Sequence, residues 1–294
     1  MSKPESNAVP LPGETPQACI DRILAGAERR TTPCGDGDVV WRIWGEGPPL
    51  VLLHGGHGAW SHWIRNIPDL ARHYRLLLPD LPAHGESAPP PGKINGPNVA
   101  APLADGLRDL LSPGETYSIA GFSFGGIIGG CLAAQEKRRV DNLVICGSNG
   151  LGLRRAQLSG FRHWRGVDEP ADLADAHRTN LAVVMFADPA NIDDLAVHLQ
   201  SRNVPLSRMK SRLIAVTNTL RDKLPEVTAR LHGIWGAGDG YAAPYMAERI
   251  ELFRSIQPGC EFRVIPGAGH WVMYEQPAAF NANLLDILGA NRKG

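Results

Sequence analysis

Nowhere in the 294 residues is there a run of the roughly 18 apolar side chains needed to cross a bilayer, which argues against a membrane span. Neither charge is in excess, since Lys plus Arg and Asp plus Glu stand at 30 each. Without a basic footprint, nothing points to nucleic acid or an anionic membrane as a partner. Cysteine is scarce: Cys19, Cys34, Cys131, Cys146 and Cys260 are odd in number and never form a Cys-x-x-Cys pair. That excludes a disulfide framework and a zinc knuckle. Cys131 and Cys146 fall in apolar runs, where a free thiol acts as a small core hydrophobe. No Gly-x-Gly-x-x-Gly follows the first strand and there is no P-loop, so no organic cofactor is implied. His54 and His57 lack a third ligand at suitable spacing, so no metal is implied either. Residues 1–16 read as a flexible leader without the apolar core of a signal peptide, and a cytoplasmic protein is expected.

What remains is an ordinary globular composition, 43% hydrophobic and 20% charged. Residues 17–30 carry Ala18, Ile20, Ile23, Leu24 and Ala27 at helical spacing, and the segment 39–44 reads as a strand. Leu50–Leu53 is a short continuous apolar run, as in a strand buried on both faces of a parallel sheet. Similar runs recur at 76–78, 117–120, 143–146, 231–235 and 261–265. Helix-length segments at 60–72, 98–111 and 124–137 separate the early runs. This rhythm predicts βαβ units: an α/β fold with a mostly parallel central sheet flanked by helices.

The rhythm breaks between 151 and 228, a stretch that is helix-like throughout. Nearly eighty residues are too many for one crossover helix, so the segment is expected to form a helical lid over the strand ends. The expected organisation is an N-terminal extension over 1–36, a core over 37–150 and 229–294, and an inserted cap over 151–228.

The central motif is Gly121-Phe122-Ser123-Phe124-Gly125-Gly126. Gly-x-Ser-x-Gly alone is weak, but here it directly follows a buried strand and opens an apolar helix. A sharp turn at that junction exposes the serine, and small residues must flank it. The helix N-terminus then offers unsatisfied N–H groups to an oxygen that becomes negative. Phe124 is expected to supply one such N–H. A serine hydroxyl needs a base, and His270 is the candidate, in the loop Pro266–His270 just past the last strand. Asp239, in Gly238-Asp239-Gly240 after the preceding strand, is the acid expected to orient the imidazole. No comparable acid follows the strand 143–146, where Ser148 and Asn149 stand. His54-Gly55-Gly56-His57-Gly58 follows the strand 50–53, and Gly56 is the expected second N–H donor of an oxyanion hole. His54 reads as a loop stabiliser. His57 stays open between pocket wall and surface and is carried as a candidate substrate contact.

These residues resemble the α/β-hydrolase superfamily over about 37–150 and 229–294. The likeness rests on His54-Gly55-Gly56, Asp80-Leu81-Pro82-Ala83-His84-Gly85-Glu86-Ser87, the serine elbow, Trp235–Asp239 and Gly269-His270-Trp271. Ala83 departs from the glycine usual in that turn. Gly269-His270-Trp271 followed by Glu275-Gln276-Pro277 also resembles the meta-cleavage-product hydrolases, which break a carbon–carbon bond in vinylogous diketo acids. That resemblance implies a lid arginine on the substrate carboxylate, with Arg202 the first candidate and Arg208 and Arg212 competing, and it brings in Trp271 as a substrate contact. Phe122 and Phe124 depart from that subfamily.

Three functions follow as expectations. The first is a serine hydrolase cleaving a small, partly apolar carboxylic ester through an acyl-enzyme. The second is a carbon–carbon hydrolase, and the third a non-catalytic ligand receptor on the same fold. A serine where dehalogenases and epoxide hydrolases need a carboxylate disfavours those branches. No heptad or exposed-strand pattern argues for an oligomer, and homo-oligomerisation stays open.

Overall fold

The computed structural model describes residues 8–289, so the first seven residues of the expected leader lie outside it. Thr15 caps α1 (Pro16–Ala25) through its Oγ1, which accepts from Ala18 N, and Gly26 ends the helix. The expected helix over 17–30 therefore stops early. The chain then enters β1 (Glu28–Cys34) and β2 (Gly37–Trp44), an antiparallel hairpin. Strands β3 (Pro49–Leu53), β4 (Arg75–Pro79), β5 (Tyr117–Phe122), β6 (Val140–Cys146), β7 (Arg230–Gly236) and β8 (Glu261–Ile265) follow. They form one eight-stranded sheet in the order β1-β2-β4-β3-β5-β6-β7-β8. β4 to β8 and β3 pair in parallel, while β1 and β2 join at one edge in antiparallel.

The sheet thus begins at Glu28, inside the segment expected to be an extension. β1 gives little apolar signal because it is an edge strand with most of its side chains exposed. At the opposite edge β8 is only partly covered, with Val264 exposed, so its apolar run is not that of a doubly buried strand.

The central strands alternate between two cores. Leu50 and Leu52 of β3 face one apolar cluster, Val51 and Leu53 the other, as the two-residue period of a strand dictates. Short α2 (Ile67–Leu70) and α1 cover the first face. α3 (Gly96–Leu110), α4 (Phe124–Glu136) and α9 (Met246–Ile256) contribute to the second. Short α10 (Val272–Glu275) and then α11 (Pro277–Gly289) close the described chain on the first face.

Between β6 and β7 the chain makes α5 (Pro170–Val184), α6 (Asp194–Asn203), α7 (Arg212–Ala215) and α8 (Thr219–Lys223), with no strand among them. The insertion is not helical throughout. Residues 153–164 run as an irregular strap held by Ala156 N donating to Tyr241 O and by Asn180 bonding the backbone of Arg162 on both sides. Its last part belongs to the body: Leu220 of α8 packs over Gly130 of α4 and joins the second core.

Candidate active site

The chain order reverses at β3, with β4 on one side and β5 on the other, and the loops at the carboxyl ends of β3 and β5 meet there. The first carries His54-Gly55-Gly56, the second Ser123. The glycines of the elbow are dictated by backbone contact. A Cβ on Gly121 would stand 2.5 Å from Gly125 O, and one on Gly125 2.5 Å from His54 O. Ser123 takes φ 50° and ψ −113°, a conformation that costs a non-glycine residue roughly 1–3 kcal/mol. Two bonds brace it: Ser123 N donates to Cys146 O at 2.8 Å, and Ser148 Oγ donates to Ser123 O at 2.7 Å.

His270 follows β8 and stands over the elbow. Its Nε2 lies 3.0 Å from Ser123 Oγ, and its Nδ1 lies 2.8 Å from Asp239 Oδ2. Asp239 follows β7, and its Oδ1 accepts from Tyr241 N at 2.9 Å and Ala242 N at 3.1 Å. One carboxylate oxygen is held by backbone, leaving the other to fix the imidazole with Nδ1 protonated and Nε2 free to accept. Both side chains are buried, at 3% and 1% exposure, so water does not compete for these bonds. Gly147, at φ 55°, keeps the end of β6 clear: a Cβ there would sit 3.5 Å from both Asp239 Oδ2 and His270 Nδ1.

The β3 loop closes over the serine. A Cβ on Gly55 would lie 3.3 Å from Ser123 Cβ, and one on Gly56 3.7 Å from Phe124 Cβ. Phe124 opens α4, so its N–H is one of the four that a helix leaves without an internal acceptor. Two histidines hold the Gly55 peptides. His54 Nδ1–H donates to Gly55 O at 2.8 Å while its Nε2 accepts from Leu81 N, and His62 Nδ1 accepts from Gly55 N at 3.2 Å. Both must be neutral to accept. Burial pushes His54 down to about 4 and His62 well below its ordinary value. His62 carries no motif in the sequence. Nothing but its place four residues after the turn Gly55–Gly58 could have drawn attention to it.

The Asp80–Ser87 motif supports that loop. Asp80 forms a buried pair with Arg42 at 3.1 Å and accepts from Trp60 N and Glu86 N. Ala83 does adopt φ 63°, the conformation for which glycine is the usual choice.

The expected substrate contacts fare differently. His57 is exposed at φ 59°, and its pKa is lowered by surrounding protein and by the charge of Arg165, in the turn that follows the insertion strap. Trp271 is turned into the core at 1% exposure, stacks on Tyr274 at 4.1 Å and donates its indole N–H to His62 O. The geometry thus corrects its reading as an open substrate contact. Arg202 is not with Ser123 and His270: it borders a small cavity of about 60 Å³ beside Trp60, Asp80 and Glu86. α6 carries it to that flank. Arg208 bonds the carbonyls of Gly85 and Ser87, strapping the insertion to the Asp80 turn. Arg212 remains near the site, where its charge and that of Arg155 act on Tyr241. Tyr241 was not singled out by sequence, yet its ring meets the His270 ring edge-on at 5.5 Å. Burial raises its phenol above the ordinary value, and the two arginines oppose that rise. A cavity of about 710 Å³ lies at the far end of the sheet between the starts of β3, β5, β6 and β7. Among the described residues no group of three or more His, Cys, Asp or Glu is arranged to hold a metal.

Residues 50–283 match the model of the alpha/beta hydrolase family. The chain belongs to that family. Its curated relatives include proteins named as hydrolases and esterases and one named as an acetyltransferase component. The 2-hydroxy-6-oxononadienedioate/2-hydroxy-6-oxononatrienedioate hydrolase of Cupriavidus pinatubonensis is 28% identical, over 93% of this chain and 99% of its own. The pimeloyl-(acyl-carrier protein) methyl ester esterase of Vibrio vulnificus is 26% identical, over 86% and 98%. Among solved structures, a meta-cleavage product hydrolase from Pseudomonas fluorescens superposes with a TM-score of 0.71 at 21% identity. The overlap covers 89% of this alpha/beta hydrolase and 98% of that chain, a likeness of fold. No helix of the described residues is long and apolar enough to cross a membrane.

Proposed function

We propose that this alpha/beta hydrolase is a serine hydrolase that cleaves a small, partly apolar carboxylic ester through an acyl-enzyme. One observation carries the reading: an unbroken relay from Ser123 Oγ through His270 to an Asp239 whose other oxygen is held by two amides. Ser123 attacks the carbonyl as His270 Nε2 takes its proton, and Asp239 stabilises the imidazolium. Gly56 and Phe124 N–H groups bind the oxyanion. His270 returns the proton to the leaving alcohol, and water then releases the acid by the same steps. No metal or organic cofactor enters these steps. In this reading residues 151–228 act as a cap, with His57 and Arg165 at its margin. A receptor without catalysis would not need the strained serine and the buried relay together. Five unpaired thiols, four of them buried, fit a reducing cytoplasm.

A second reading has its own support. Arg155 and Arg212 bring positive charge to Tyr241, beside His270, and would pair with a carboxylate on the substrate. That suits a carbon–carbon hydrolase acting on a dienoate of the kind the curated relatives' names describe.

The test is a fluorophosphonate probe on the pure protein and on Ser123→Ala, with the labelled peptide found by mass spectrometry. Label on Ser123, absent in the variant and undiminished by EDTA, is the expected result. No label on folded protein, even with a small sulfonyl fluoride, would remove the serine mechanism. Turnover of p-nitrophenyl butyrate against a vinylogous diketo acid then separates the two readings.

A further inference from the structure

A buried acid beside the His270 loop takes no part in the relay. Glu275, at the end of α10, is 7% exposed. Its Oε2 accepts from Gly269 N at 2.7 Å and Ala187 N at 2.9 Å, and its Oε1 from Asp188 N and Asn191 Nδ2, both at 3.0 Å. Four donors match the lone pairs of one ionised carboxylate, and such charge-assisted bonds are the stronger kind. Three of the donors belong to the turn after α5, in the insertion. The fourth is the residue before His270.

The residue after His270 is tied to the same segment, since Trp271 N donates to Met185 O at 2.8 Å. His270 is therefore bracketed by two attachments to one stretch of the cap. The contact is backbone on backbone: a Cβ on Gly269 would stand 2.5 Å from Ala187 N and 2.6 Å from Phe186 C. The acid loop leans there too, for a Cβ on Gly238 would lie 2.7 Å from Ala187 Cβ. Both loops that carry the base and its acid thus rest on residues 185–188.

The geometry points to Glu275 as a positioning residue that couples the cap to the relay, locking residues 185–191 to the His270 loop so that the imidazole is aligned only while the cap is seated. The proposal rests on the serine-hydrolase reading above. Glu275 acts through the backbone of that loop and does not touch the reacting atoms. A glutamine would turn an NH2 toward two of the four donors. An aspartate keeps the charge but is one methylene short of reaching both sides.

The labelling rate at Ser123, with kcat and KM on p-nitrophenyl butyrate, is to be measured for wild type, Glu275→Gln and Glu275→Asp, each shown folded by circular dichroism at the assay temperature. Loop misplacement of about 1 Å costs on the order of 10²-fold, so Glu275→Gln is expected to lose 10- to 100-fold in labelling rate and kcat, with KM little changed. Glu275→Asp is expected to recover part of the loss. A glutamate that only supports the fold would lower Tm and leave the rate per folded molecule at the wild-type value, which overturns the proposal. Should Glu275→Gln not fold, hydrogen exchange on the wild type decides. The amides of Ala187, Asp188, Gly269 and Trp271 exchange as one cooperative unit under the proposal, and independent exchange refutes it. Wild type that takes no label would sink the serine-hydrolase reading, while the exchange result would still judge the clamp.

Discussion

At the scale of single residues, the backbone of Ser123 holds a conformation its side chain disfavours. At φ 50° an alanine suffers the same clash as serine, whereas glycine does not. Ser123→Gly is therefore expected to be more stable than Ser123→Ala by about 1 kcal/mol in urea unfolding, with both inactive. Equal stabilities would mean that the elbow relaxes and holds no strain. Residues of this kind were legible because their chemistry is local: a serine between glycines at a strand–helix junction, a histidine and an aspartate just past two strand ends. Side-chain direction was not. Trp271 follows His270 in sequence yet points into the core, and Arg202 sits on a helix whose rotation only tertiary packing sets. Glu275 could be quoted as part of a motif, but its partners at Ala187, Asp188 and Asn191 lie more than eighty residues away.

At the scale of elements, apolar runs marked the five inner parallel strands β3 to β7 well, since burial on both faces leaves no polar alternation to confuse the period. The edge strand β1 was invisible for the converse reason: with one flank open, Glu28-Arg29-Arg30-Thr31 shows no apolar signal of a strand, and its first three residues read as the end of the preceding helix. The insertion illustrates a different limit. Its helical composition was evident, but which part covers the site and which part joins the body depends on contacts such as Leu220 against Gly130. Leu220 is fully buried, so Leu220→Ala is expected to destabilise the whole protein by about 3 kcal/mol through the cavity it leaves. Should its loss instead affect only substrate turnover, with the urea midpoint unchanged, α8 would be a movable part of the cap.

For the whole molecule, the equal numbers of acidic and basic residues hide an asymmetry that only burial exposes. Several histidines are locked neutral inside the fold. Burial lowers His54 to about 4, His84 to about 3 and His232 to about 4, against an ordinary value of 6.5. The unfolded chain therefore takes up these protons first as the pH falls. Their stabilising contribution is complete above pH 6.5, shrinks as pH drops below it, and is exhausted near their folded values. At 1.4 kcal/mol per unit, each histidine forfeits about 2 kcal/mol between pH 7 and pH 5, and three together rival the net stability of a typical domain, about 5–15 kcal/mol. Carboxylates titrate mostly below this window, at about pH 4, so the slope between pH 6.5 and 5 belongs to the histidines. Urea unfolding at pH 7, 6 and 5 should show the free energy falling steeply and monotonically. His232, with both ring nitrogens unpartnered in the middle of β7, is the place to divide the effect. His232→Val should flatten the slope by one histidine's share while keeping the strand filled. A profile that stays level from pH 7 to 5 would mean that these rings find protons or water within the fold, and the buried cluster beneath the Gly55–Gly56 loop would then lose its claim to be neutral.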